Sequence, residues 1–138
     1  MSIESVDPTK GKGLQTLSIP ISLDVLSTSA LDLVSDFVAG FEGYIVGLSF
    51  LTTKLGAGAG ASQSISITID GVATEGGVLS LLLADTTPVG KIKAATAFTG
   101  KNKISQTSLI DVKLAASGTA FTGGSGALLI TFQNVQNF

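Results

Sequence analysis

Hydrophobic and polar residues alternate along much of this chain, as they do in strands that bury one face. The alternation is clearest over residues 17–23, 65–69, 110–114 and 128–132. Pro20 lies within the first of these stretches, and proline cannot donate a hydrogen bond to a neighbouring strand. We therefore predict strands at all four places, with the first of them at the edge of a sheet.

Residues 43–54 form the longest apolar stretch that predicts a strand. Its two faces are both mostly apolar. One predicted face carries Tyr44, Val46, Leu48 and Phe50, and the other carries Ile45, Gly47, Ser49 and Leu51. This pattern favours a central strand, or a strand whose outer face contacts another subunit.

Three further stretches complete the predicted strands. Residues 78–83 predict a buried strand, and residues 91–96 predict a strand with Ile92 on one face and lysines on the other. Residues 31–37 alternate weakly. A single helical turn over residues 32–38 is the alternative there.

Glycine, proline and polar residues separate these strands at fairly regular intervals. Asp70-Gly71 predicts a hairpin turn, and the glycine-rich segments 56–61 and 122–126 predict loops. About eight short strands predict an all-β fold, a single-domain antiparallel β-sandwich or jelly roll over residues 14–138. Residues 1–13 are polar and mixed in charge, which predicts a flexible N-terminal arm.

The composition removes several kinds of chemistry. The 138 residues include no Cys, His, Trp or Arg. The sequence therefore excludes disulfides, thiolate nucleophiles, histidine bases and arginine phosphate clamps. Hydrophobic residues make up 44% of the chain, and charged residues make up only 13%. That balance favours self-association or docking into a larger assembly.

The remaining routes to catalysis or metal binding have little support in the sequence. No motif pairs one of the eight lysines with a particular serine, and the ten acids are scattered. Asp70 and Glu75 are the nearest approach to a calcium site, but two acids make a poor cage and a hairpin turn explains them better. The glycine-rich segments lack the Gly-Lys-Ser/Thr ending of a phosphate loop. We expect neither an enzyme nor a bound cofactor or metal.

The charges are unevenly distributed along the chain. Residues 1–50 carry a net charge of −4 and residues 51–138 a net charge of +2. A cluster of four lysines without an intervening acid comprises Lys91, Lys93, Lys101 and Lys103. This cluster has two interpretations, a patch that docks on an acidic protein surface and a solvated hairpin face. The overall charge of −2 argues against a nucleic-acid partner.

Hydropathy along the chain predicts no membrane span. Its most apolar run, residues 78–84, is only of strand length and falls short of the ~18–20 residues that a transmembrane helix needs. The N-terminal residues lack the apolar core of a signal peptide, so we expect synthesis in the cytoplasm without export.

Several segments, taken in order, resemble recurring segments of small virion proteins from tailed bacteriophages. The resemblance extends over roughly residues 17–135, and its most specific parts are the order of the segments and the ending FTGGSG. The matching segments are GFEGYIVGLSF (40–50), ISITI (65–69), TEGGV (74–78), TPVG (87–90), AFTGKN (97–102) and TAFTGGSGALLI (119–130).

The resemblance implies a head decoration, or cement, protein. Such proteins add to the outside of an expanded capsid, often as homotrimers at three-fold or quasi-three-fold positions, and clamp neighbouring subunits of the major capsid protein. It implies a place on the capsid surface of the virion and carries over no catalytic residue. The four lysines are the candidate capsid-contact patch. The alternatives are a tail or head-fibre module and a carbohydrate-binding adhesin. Sugar sites usually stack the sugar ring on Trp or Tyr. Trp is absent here and Tyr44, the only Tyr, is predicted inside a strand, which disfavours the adhesin.

Overall fold

A computed structural model describes residues 13–26, 29–115 and 118–135. The predicted N-terminal arm lies outside the described residues except for Gly13. The carbonyl of Gly13 accepts a hydrogen bond of 3.0 Å from the backbone N–H of Asn134, so the described chain begins beside its last strand.

The described residues form two antiparallel sheets of five strands each, which confirms the predicted all-β sandwich. Sheet 1 contains β1 (Leu14–Ser22), β3 (Gly43–Ala57), β7 (Ile92–Ala94), β8 (Lys103–Ile104) and β10 (Gly123–Asn134). Sheet 2 contains β2 (Leu31–Phe37), β4 (Ser62–Ile69), β5 (Val72–Ala73), β6 (Leu79–Leu82) and β9 (Ile110–Leu114). Two short 3-10 turns, Leu23–Val25 and Leu83–Thr86, follow β1 and β6.

The strands pair as nested partners, which is the topology of a jelly roll. The first strand pairs with the last, β1 with β10, and β2 pairs with β9. Inside them, β3 pairs with β7 and β8, and β4 pairs with β5 and β6. The edge position that Pro20 predicts for β1 is confirmed.

The core lies between the two sheets and is built from alternate residues of the longest strands. Sheet 1 contributes Ile45, Leu48, Phe50, Leu128, Ile130 and Phe132, and sheet 2 contributes Ile65, Ile67, Leu79, Leu81, Ile110, Val112 and Leu114. Leu23 and Leu26 close one end. The alternation in the sequence therefore identifies most of the buried side chains correctly.

The prediction for the two faces of β3 is wrong in its first half. Ile45 is buried, whereas Tyr44 and Val46 are exposed. The register shows the reason: Thr131 pairs with Gly47 and Phe132 pairs with Ile45, so Val46 is an extra residue without a partner. This β-bulge reverses the inward and outward positions on either side of it.

The prediction of loops at the glycine-rich segments is confirmed only in part: residues 58–61 join β3 to β4, whereas residues 56–57 and 123–126 lie in strands. β3 continues through Gly56 to Ala57, and β10 begins at Gly123, which pairs with Ala57. Gly124 has φ of +107°, and a Cβ there would crowd the Cα of Gly56. Glycine is therefore required where these two strands approach each other closely.

Three smaller predictions also need correction. The strand predicted over residues 31–37 is confirmed as β2, so the alternative of a helical turn over residues 32–38 is wrong. Residues 78–83 are not uniformly buried, since Val78 and Leu82 are exposed. There are ten strands in the described residues instead of about eight, because the two-residue strands β5 and β8 carry too little pattern to predict.

The predicted hairpin turn at Asp70-Gly71 is confirmed and joins β4 to β5. Asp70 and Gly71 have φ of +51° and +81°, the left-handed conformations that such a turn requires. The Asp70 carboxylate accepts a hydrogen bond of 2.9 Å from the backbone N–H of Leu109. Asp70 therefore holds the turn against the residue that precedes β9.

Gly76→Ala is expected to destabilise the protein by at least about 2 kcal/mol. Gly76 has φ of +78°, and a Cβ there would overlap the backbone carbonyl oxygen of Ala97. Gly71→Ala is the matched control, because φ is +81° and a Cβ there meets nothing within 4 Å. Thermal unfolding of both variants checks this, and equal losses would contradict the role given to the Ala97 contact.

Candidate interaction surface

The outer face of sheet 1 is uncharged across its centre. Ala127 on β10 pairs with Pro20 on β1 and with Leu51 on β3, and Leu51 pairs with Ile92 on β7. These residues alternate with buried neighbours such as Leu128, so their side chains face away from the core. They form one apolar row across four strands.

The neighbouring rows on this face are small, hydroxylated or apolar. The next row is Ser18, Leu129, Ser49 and Ala94, and the one after it contains Thr16, Thr131 and Gly47 with the bulged Val46. We call the side chains of these three rows the uncharged face. Val46 is 40% exposed and Ile92 is 58% exposed, so the face presents apolar surface to its surroundings.

Charge appears only at the two ends of the uncharged face within the described residues. Lys54 pairs with Ser125 beyond one end, and Lys103 pairs with Tyr44 beyond the other. With strands ~4.8 Å apart and rows ~6.8 Å apart, the three rows on four strands cover about 400 Å². One copy would bury about 800 Å² in total through this face, less than a specific protein interface usually buries, so binding through it depends on several linked copies.

The outer face of sheet 2 is different in character. Ser62, Ser64 and Ser66 point outward on β4 between the buried Gln63, Ile65 and Ile67. Beside them, Lys113 Nζ lies 2.8 Å from Asp32 Oδ1 and 3.9 Å from Asp111 Oδ2. Hydroxyls and ion pairs of this kind are typical of a solvated surface.

The ion pair between Lys113 and Asp32 on sheet 2 is formed at neutral pH. The hydrogen bond from Lys113 to Asp32 is the main cause that raises the pKa of the Lys113 ammonium above its ordinary value. A raised lysine pKa means that the pair forms below that value and is lost only in alkaline solution. Because the group is exposed, the pair contributes little to stability.

The four lysines singled out from the sequence lie along one edge of sheet 1. Lys93 is in β7 and Lys103 is in β8, and Lys91 and Lys101 come just before those strands. β7 and β8 both pair with the same side of β3. β7 lies opposite residues 49–51 and β8 opposite residues 43–44, so the two pairs of lysines are about 20 Å apart. We call this side of the sandwich the lysine edge.

Two of these lysines have acidic partners that the sequence did not indicate. Lys93 Nζ lies 3.6 Å from Asp85 Oδ1, and Lys101 Nζ lies 4.0 Å from Glu75 Oε2. Lys91 Nζ donates to the carbonyl of Ala84 at 3.2 Å. The lysine edge therefore keeps a net charge of +2, because the fold brings two acids from other segments beside the four lysines.

A small cavity opens between β1 and β2 at one end of the sandwich. Phe37, Phe41 and Phe132 line it together with Gln15, Thr16, Leu17 and Ala39. The Phe41 and Phe132 rings meet edge to face, with centroids 5.9 Å apart. Its volume is about 160 Å³, well below the ~300–1,000 Å³ of typical small-molecule sites.

The described residues contain no group of three or more acidic side chains placed to hold a metal ion. Asp70 and Glu75, the nearest approach to a calcium site in the sequence, have different partners: Asp70 accepts a hydrogen bond from Leu109 in its hairpin turn, and Glu75 lies beside Lys101. No helix in the part of the chain that the structure describes has the length and apolarity needed to cross a membrane.

Comparisons with protein-family models, with curated proteins and with solved structures found no match to this chain.

Proposed function

We propose that this protein is a structural virion component that decorates and cements the outer surface of a bacteriophage capsid as a homotrimer. The observation that carries the proposal is the contrast between the two outer faces of the sandwich. Sheet 2 presents serines and ion pairs beside exposed apolar side chains such as Leu82, whereas the centre of the outer face of sheet 1 carries no charge. Such a body is suited to binding a large, flat protein surface through one face.

The segment resemblance supports the choice of a phage shell as that surface. Part of the segment at residues 40–50 forms the uncharged face, since Val46, Gly47 and Ser49 belong to it. The segment at residues 119–130 contributes Ala127 and Leu129 to the same face. Two of the segments that carry the resemblance therefore lie together at the proposed contact.

The jelly roll is suited to cementing a shell because it is a rigid body. Its long strands β3 and β10 pair over most of their length and bury a continuous core. A trimer that contacts three subunits of the major capsid protein gains avidity without any strong single contact. Bound in this way, it restrains the movement of the capsid subunits against each other.

Co-sedimentation with expanded phage shells that lack this protein tests the proposal. We expect saturable binding at about one trimer for each three-fold site. Because the proposed contact is uncharged, binding of the assembled trimer should change little between about 0.1 M and about 0.5 M salt at protein concentrations where the trimer stays intact. Folded protein that stays in the supernatant at every concentration would contradict the proposal, and tail structures and a glycan array would then be tested.

A further inference from the structure

The two lateral edges of the sandwich carry opposite charges. β1 and β2 form one edge, because each is the outermost strand of its sheet and both line the same small cavity. β7 and β8 lie at the opposite edge of sheet 1. Lys93 on β7 reaches Asp85 in the turn that follows β6, so β6 lies on that same side.

Acids collect at the β1–β2 edge. Asp24 lies in the turn that follows β1, Asp32 and Asp36 lie on β2, and Asp111 lies on the adjoining strand β9. The backbone N–H of Asp36 donates to Asp111 Oδ1 at 2.6 Å, and Lys113 binds Asp32. We call this side the acidic edge. Its four carboxylates and one lysine give a net charge of −3, against +2 for the lysine edge.

Both edges also present apolar surface beside their charges. At the acidic edge the seam between the sheets is not closed, so Leu17, Ile19, Ile21, Leu33, Val34 and Phe37 are only partly buried. At the lysine edge, Val89 is more than half exposed. Each edge therefore combines an apolar patch with charges opposite in sign to those of the other edge.

We propose that the lysine edge of one copy docks on the acidic edge of a second copy, head to tail. A two-fold contact would place like charges together, acid on acid or lysine on lysine, which electrostatic complementarity disfavours. A contact between two different edges leaves one edge free on each partner, so it continues to further copies and closes into a ring when the rotation between copies allows it. The number of copies in that ring, three, is the one part of the inference that rests on the proposed function.

The lysine edge then binds the acidic edge of a second copy and not the capsid. The uncharged face lies between the two edges, so a ring formed through the edges leaves that face free to bind the shell. Shell binding would then depend on the lysines indirectly, through the avidity of the assembled ring.

Charge reversal at each edge, separately and together, tests the inference without any shell. One variant combines Lys91→Glu with Lys103→Glu, and the other combines Asp24→Lys with Asp32→Lys; all four side chains are exposed. We expect each variant alone to weaken self-association at least tenfold in sedimentation velocity. The variant with all four changes should recover it, because the two edges are again opposite in charge.

Lys54→Glu with Glu42→Lys is the control for the four-fold variant, since it exchanges one lysine and one acid that are not among the charges counted at either edge, and it should leave self-association unchanged. A four-fold variant that stays as dissociated as the two-fold variants would overturn the proposal. So would a wild-type protein that is monomeric in solution. If self-association follows the charge pattern but the protein does not bind shells, the proposed function is contradicted. The contact between the two edges is then still supported.

Discussion

Ser18→Glu combined with Val46→Glu is expected to lower the affinity for phage shells at least about a hundredfold. Both positions are on the uncharged face, and Leu129 lies between their strands on β10. Each glutamate would bring a charge without a partner into the contact, and burying an unpaired charge is costly. Because Ser18 and Val46 are exposed, the fold itself should change little. Co-sedimentation over a range of protein concentrations measures the effect.

The control for this experiment is Ser80→Glu combined with Val72→Glu. It makes the same two kinds of substitution at exposed positions of sheet 2, where Val72 is 53% exposed. We expect shell binding close to that of the wild type. Equal losses in the two double variants would show that the added charge, and not its place on sheet 1, is responsible.

Phe50→Ala is expected to cost about 3–5 kcal/mol of unfolding free energy. Phe50 is 1% exposed and is among the largest fully buried side chains. Its ring occupies the space beside Gly126, where a Cβ would overlap it. Truncation would leave a cavity in the core between the two sheets, beside β3 and β10, that the paired strands cannot close. The melting temperature should fall by about 10 °C or more, measured at a fixed protein concentration.

Phe50→Leu is the conservative comparison for that variant. Leucine fills most of the same space, so the loss should be near 1 kcal/mol. If Phe50→Ala unfolds at the wild-type temperature, the ring does not support the packing of sheet 1 against sheet 2. The same melts report whether each variant remains folded at the temperature of the binding assays.

The sequence predicts the two-sheet fold because alternation and turn residues agree along most of the chain. It fails locally at β3. Both faces of that strand are apolar, so alternation alone does not show the bulge at Val46 that reverses the inward positions. The reversal matters for function, because it turns Val46 outward on the uncharged face and buries Ile45 in the core.

The candidate surface is less predictable than the fold because tertiary contacts assemble it. The sequence indicates the four clustered lysines, and the fold places all of them on one edge. The sequence gives no sign that Asp85 and Glu75 approach Lys93 and Lys101, since those acids lie on other segments. The uncharged face joins residues from β1, β3, β7 and β10, whose pairing is known only from the register.

The charge imbalance along the chain has a structural counterpart. Three of the acids in residues 1–50 lie at the acidic edge, and the lysines of residues 91–103 lie at the opposite edge. Counting charges in each half predicts an asymmetry. It does not predict two opposed edges, because the order of strands in a jelly roll differs from their order in the chain.

An electron cryomicroscopy reconstruction of phage shells decorated with the wild-type protein tests the proposed docking most directly. We expect density for the sandwich at three-fold positions, with the uncharged face of sheet 1 against the shell and the serines of β4 facing solvent. A sandwich bound through sheet 2, or shells without added density under conditions where the protein is folded, would contradict the proposed docking.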